Sequence, residues 1–147
     1  MFGGKPTKPQ NRIDSLIGEG TTVEGNVVFS GGLRIDGQVK GNVLAAGDQP
    51  STLVLSERAR VEGEIRVSHA VVNGTVHGPV YAMEYVELQA KCNVTGDVHY
   101  KTLEIQLGAV VQGRLVHHEE VQATRMIALK PAQVEAGAID PMLQSDG

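Results

Sequence analysis

The side chains best suited to metal binding, nucleophilic attack or proton transfer are five histidines (His69, His77, His99, His117, His118) and one cysteine, Cys92. A helical zinc site needs ligands at an i, i+4 step, and most zinc sites need several ligands at short regular spacings. No pair of these histidines has that step with a nearby carboxylate, and there is no second cysteine. His99 and His117 are 18 residues apart but sit at different offsets from Gly96 and Gly113. All five histidines are therefore read as solvated surface residues. Cys92 is read as a small core residue. No Gly-x-Ser-x-Gly elbow is present, and Gly3-Gly4-Lys5 lacks the rest of a phosphate-binding loop. Glu24, Asp36, Glu62, Glu64 and Asp97 alternate with apolar residues, so they are expected to face water rather than to pair as catalytic carboxylates. No catalytic, cofactor-binding or metal-binding residue is assigned, no cofactor is expected, and the chain is read as a non-enzyme.

The elements that would have to position such residues are repeats. Residues 15–27, 53–65, 86–98 and 103–115 superimpose without a gap. Each is a 13-mer with an apolar third residue (Ile17, Leu55, Leu88, Ile105) and a small seventh residue (Thr21, Ala59, Cys92, Ala109). Each closes on Val-x-Gly-x-apolar. An 11-residue version occurs at 33–43 and 70–80, with the glycine pairs Gly37/Gly41 and Gly74/Gly78 in register. The six units start at 15, 33, 53, 70, 86 and 103, a mean period of 17.6 residues. Alternation such as Leu33-x-Ile35-x-Gly37-x-Val39 has period two, so one face of an extended strand points inward. β-Branched valines dominate the apolar positions, and glycine suits the corners. The fold class is all-β: a single-domain β-helix solenoid of about six coils with roughly three faces. At the ~4.8 Å strand spacing, six coils make a rod of roughly 30 Å. The small seventh residue is expected to point inward and to stack from coil to coil.

Composition agrees with a narrow core. Gly is 18 of 147 residues while aromatics are only 3%, and a thin solenoid is filled by Val, Ile, Leu and Ala instead. One cysteine excludes an internal disulfide framework and fits a reducing compartment. With no run of about 18 apolar residues and no secretory signal, the expected location is the cytoplasm. Residues 1–12, with Pro6 and Pro9, are expected to be a disordered arm, residues 13–118 the β-helix core, and residues 119–147 a flexible tail. The insertion Gly47-Asp48-Gln49-Pro50 should bulge outward as a loop.

Two features carry functional weight. The arm joins an apolar tip, Met1 and Phe2, to Lys5, Lys8 and Arg12, with no acidic residue before Asp14. It is thus +3, which leaves −7 on the rest of a chain whose net charge is −4. Such an arm can bind an anionic bilayer at about 1 kcal/mol per basic residue, and many arms on one polymer act together. The acidic body argues against a nucleic-acid partner. The second feature is the lack of an evident cap. One end coil carries Ile17, Val23, Val27 and Phe29; the other carries Leu103, Ile105, Val110, Val111 and Leu115. Uncapped ends invite stacking, and a contact that does not close on itself makes a filament.

The Val/Ile-x-Gly-x-Val/Ile repeats, the segment Leu33-Arg34-Ile35-Asp36-Gly37-Gln38-Val39-Lys40-Gly41-Asn42-Val43 and the short Met-Phe basic arm resemble the bactofilins. The resemblance implies a right-handed triangular β-helix that polymerises without nucleotide into non-polar filaments. It also implies a bacterial cytoskeletal scaffold, often on the inner face of the cell membrane, with cell-wall enzymes or shape and polarity factors as clients. Two other readings compete. Ile17, Val23, Phe29 and Ile35 are spaced by six, as in left-handed hexapeptide-repeat acyltransferases, where His69, His77 or His99 would serve as general base at a trimer interface. Position 41 is glycine and the units vary from 16 to 20 residues, which breaks that repeat. A capped, non-polymerising binding module differs from the filament only at its ends.

Overall fold

In the computed structural model, which describes residues 12–47 and 49–118, the repeats wind into a parallel β-solenoid of six turns and three faces. The first turn is β1 (Ser15–Ile17), β2 (Thr22–Glu24) and β3 (Val27–Phe29). The second is β4 (Gly32–Ile35), β5 (Gln38–Lys40) and β6 (Val43–Ala45). The third runs through β7 (Thr52–Leu55), β8 (Arg60–Glu62) and the start of β9 (Ile65–Val72). The fourth takes the rest of β9, β10 (Thr75–His77) and the start of β11 (Val80–Leu88). The fifth takes the rest of β11, β12 (Asn93–Thr95) and the start of β13 (Val98–Ile105), and the sixth ends through β14 (Val110–Gln112) and β15 (Leu115–His117). No helix occurs among the described residues. The arm from Met1 to Lys8 and the tail beyond His118 lie outside them.

Register follows the repeat. Ser15 pairs with Leu33, Leu33 with Leu53, Leu53 with Ala70, Ala70 with Val86 and Val86 with Leu103. The six unit starts legible in the sequence therefore stack in one column on the first face. Strands β2, β5, β8, β10, β12 and β14 form the second face in parallel order. The third face is β3, β6, the opening halves of β9, β11 and β13, and β15.

The difference between the 13-residue and 11-residue segments is set at the corner between the first and second faces. The 13-mers cross it with a four-residue turn, closed by Thr21 N donating to Gly18 O (3.0 Å), Ala59 to Ser56 (3.0 Å), Cys92 to Gln89 (3.0 Å) and Ala109 to Gln106 (3.2 Å). The 11-residue units cut the corner with Gly37 and Gly74. A Cβ on Gly37 would lie 2.2 Å from the Gly18 carbonyl oxygen, so only glycine fits. These two glycines complete the column of small residues at Thr21, Ala59, Cys92 and Ala109. The second glycine of each pair stands at the next corner, in a ladder that includes Gly63, Gly78 and Gly96.

The core consists of columns running along the axis. On the second face, Val23, Val39, Val61, Val76, Val94 and Val111 stack in register through all six turns. On the first face the column is Ile17, Ile35, Leu55, Val72, Leu88 and Ile105. On the third it is Val27, Val43, Ile65, Val80, Val98 and Leu115. The four inner members of each column are fully buried. Fully burying such side chains is worth about 1.5–3 kcal/mol each, which is what holds turn to turn.

Polar groups enter this interior at one corner. Ser51, Thr52 and His69 are buried, beside the loop formed by the longest unit. The Ser68 hydroxyl donates to Ser51 O at 2.6 Å and lies 3.0 Å from His69 Nδ1. His69 is only 6% exposed, so the expectation of five solvated histidines fails there. Its backbone sits in register with Thr52 and Tyr85 on the inward side of the corner.

Candidate functional site at the two ends of the solenoid

The columns that are sealed in the middle of the rod surface at its ends. Ile17, Val23 and Val27 begin the three columns and are half-buried; among the described residues each has a column neighbour on one side only. Ile105, Val111 and Leu115 end the same columns; Ile105 is 48% and Leu115 42% exposed. Leu103 ends the column of unit starts and is half-buried. The sequence reading thus picked residues that the register brings together as two apolar end surfaces. Two of its choices sit differently. Phe29 is 7% exposed and belongs mostly to the core. Val110 heads outward, in a column otherwise made of Thr22, Gln38, Arg60, Thr75 and Asn93. One residue escaped sequence reasoning altogether: Leu107, 96% exposed, at the tip of the last four-residue turn. The corresponding turn positions of the other units are polar or small, and that contrast was the signal available.

Each terminal turn is clamped to its neighbour by an aspartate. Asp14 Oδ2 accepts from Gly32 N at 2.9 Å, and Asp97 Oδ1 accepts from Arg114 N at 2.9 Å. These backbone N–H donors hold both carboxyls below the usual aspartate range; Arg12 adds to the effect at Asp14, and Arg114 at Asp97. Of the proposed lipid-binding arm, Arg12 is the member within the described residues. Its Nε is 2.9 Å from Asp14 Oδ1, so part of the arm's charge is compensated.

The chemistry-bearing side chains are dispersed. His69 lies at the corner leading into the first face, His77 on the second and His99 on the third, so they converge on no common point within one chain. None of the acidic residues expected to face water is buried, and most pair with a surface arginine: Asp36 with Arg34 at 2.9 Å, Glu62 with Arg60 at 2.8 Å, Asp97 with Arg114 at 3.1 Å, and Glu64 with Arg66. Exposed pairs of this kind contribute little to stability. Burial pushes the Cys92 thiol up. The Tyr85 phenol is also pushed up, by burial and by donating to Glu104 and Glu87. Among the described residues, no group of three or more His, Cys, Asp or Glu could hold a metal ion. Among them, too, no helix is long and apolar enough to cross a membrane.

Fold and ends together define a quasi-one-dimensional repeat solenoid whose first and last turns, among the described residues, have a turn packed on one side only. The family model for bactofilins, described as polymer-forming cytoskeletal, matches residues 15–116. The chain belongs to the bactofilin family. It is similar to Bactofilin BacP of Myxococcus xanthus (strain DK1622), 27% identical over 140 residues, which covers 95% of this chain and 56% of that protein. It is also similar to Bactofilin BacO of the same organism, 29% identical over 103 residues, covering 65% of this chain and 82% of that one. No solved structure matches at a significant level.

Proposed function

We propose that this chain is a cytoskeletal scaffold that assembles without nucleotide, by end-to-end stacking of solenoids into filaments. One observation carries the reading: three core columns continuous through six turns emerge, among the described residues, half-open at both ends of the solenoid. Stacking a further solenoid extends each column by the contact that already joins one turn to the next. The residues assigned to this contact are Ile17, Val23 and Val27 at one end, and Leu103, Ile105, Val111 and Leu115 at the other. The family's non-polar filaments correspond to like ends meeting. Leu115→Glu places a charge at the end of one column while leaving the inner turns intact. Wild-type protein should sediment at high speed with neither nucleotide nor metal added; the variant should stay in the supernatant with its β-sheet circular dichroism retained. A variant that sediments like wild type would take Leu115 out of the contact.

The filament, on this reading, lies on the cytoplasmic face of the inner membrane, held by Met1, Phe2, Lys5, Lys8 and Arg12, and localises cell-wall or cell-shape and polarity proteins. The support is the arm's composition: an apolar tip followed by basic residues. Deleting residues 1–8 should release the polymer from anionic vesicles without changing its sedimentation alone. Vesicle binding that persists in the deletion would remove the arm from this role.

A further inference from the structure

A further inward column runs along the third face, beside the one that ends at Leu115. Phe29 pairs with Ala45, and Val67, Ala82, Tyr100 and His117 pair in succession. Strands β6 and β9 are in register at Val43 and Ile65, so Ala45 and Val67, two residues on, continue a single line. Phe29, Val67 and Ala82 are buried, and Tyr100 packs against the core. The last member differs in kind. His117 is exposed, its ring 5.5 Å from the Tyr100 ring and tilted 50° to it. An ionisable side chain thus ends a core column, on the same end surface as Leu103, Ile105, Val111 and Leu115. At the other end of the solenoid the column finishes on Phe29.

Stacking a second copy on this surface covers His117 with an inward residue of that copy. Where like ends meet, the cover is one of the apolar column ends or a second His117. An apolar cover leaves an imidazolium buried with no counter-charge, and two imidazoliums repel. The charged groups around it supply no compensation. On β13, Lys101 pairs with Glu84 at 3.7 Å, Glu104 accepts from Tyr85, and His99 stacks on Tyr81. On the last turn, Arg114 pairs with Asp97 at 3.1 Å, and His118 follows His117. Among the described residues, no carboxylate pairs with His117.

We infer that His117 makes the contact at the carboxy-terminal end of the solenoid proton-gated: it closes on the neutral imidazole and opens when the ring is protonated. The inference rests on the end-to-end reading above and assigns a regulation to that contact. The stacked state holds fewer protons than the free end, so the contact is strongest above the range in which histidine titrates and weakens as pH falls through it. An imidazole ordinarily titrates near 6.5. Between about pH 7.5 and about pH 6 the contact therefore loses about fourfold for each ring that must stay neutral, and about fifteenfold where two must. Aspartates such as Asp14 and Asp97 stay ionised throughout that range, so the clamps on the terminal turns hold.

The test follows the concentration at which half of the full-length chain pellets at high speed, at about pH 7.5 and about pH 6, with negative-stain images to confirm filaments. Both conditions lie above the isoelectric point, near 5.7. For wild type the half-pelleting concentration should rise about fourfold to fifteenfold at the lower pH. His117→Phe and His117→Gln carry neutral side chains, and each should pellet alike at the two pH values. His77→Asn, on the outward side of the second face, should respond as wild type does. A wild-type midpoint that does not move would overturn the inference. So would a shift that persists in the two His117 variants, or one that vanishes in His77→Asn. Circular dichroism separates folding from contact: neutral variants that fold but fail to pellet at about pH 7.5 would also overturn it, because the contact would then require the imidazole itself. Wild type that pellets at neither pH would instead sink the end-to-end reading.

Discussion

Asp14 and Asp97 show what a single residue does at the terminal turns of the solenoid. Each spans two turns and supplies an acceptor to a backbone N–H, of Gly32 and of Arg114. Both carboxyls sit below their ordinary range, so they stabilise the fold when ionised. That contribution is fully present above the ordinary aspartate value of about 3.9 and is lost as pH falls through the lower folded values. Acidification should therefore loosen the terminal turns first. Hydrogen exchange corrected for intrinsic rates should accelerate at Gly32 and Arg114 before it does at Val76 and Val94; uniform protection across the rod at low pH would contradict the clamp. Neither aspartate could be read as a clamp from sequence, because the contact joins residues 17 or 18 positions apart and depends on register. His69 was hidden for the same reason: its burial comes from the corner packed around Ser51 and Ser68, and no local pattern marks it.

At the scale of elements, sequence was far more informative. Six unit starts, the inward alternation and both glycine positions were legible because period-two patterning and the steric demand for glycine are local properties. The reason for two unit lengths was not. It lies in the corner, where a four-residue turn in some units is replaced by a single glycine packed against the carbonyls of the preceding turn. The six-residue spacing of Ile17, Val23, Phe29 and Ile35 also has a structural cause. It marks one step per face in the first turn, after which Ile35 stacks on Ile17. Later turns depart from it as their corners change. Glycine substitutions separate these effects. A Cβ on Gly78 would lie 2.2 Å from the Gly63 carbonyl oxygen, at a φ of 150°, whereas nothing lies within 4 Å of one on Gly20. Gly78→Ala should cost about 1–3 kcal/mol in denaturant unfolding and Gly20→Ala well under 1 kcal/mol. Equal midpoints for the two variants would show that the corner ladder is not tightly packed.

For the solenoid the governing fact is that every inner turn is sealed by a turn on each side, whereas among the described residues the first and last turns have one each. Column ends such as Val111 and Leu115 could be named from the repeat because the last unit is easily counted. Which of their neighbours point outward, as Val110 does, needed the register of β14. Leu107 required the turn geometry. In the proposed filament, solenoids stack end to end, so that the strands of successive subunits lie in one continuous ladder. The most direct test is the averaged diffraction of purified filaments, from cryo-electron micrographs or an aligned fibre, with no nucleotide or metal added. Coaxial stacking predicts a reflection near 4.8 Å along the filament axis, together with a subunit repeat of about 29 Å or twice that for paired like ends. A 4.8 Å reflection perpendicular to the axis would mean that the rods lie across the filament and join through their faces, and would contradict the account.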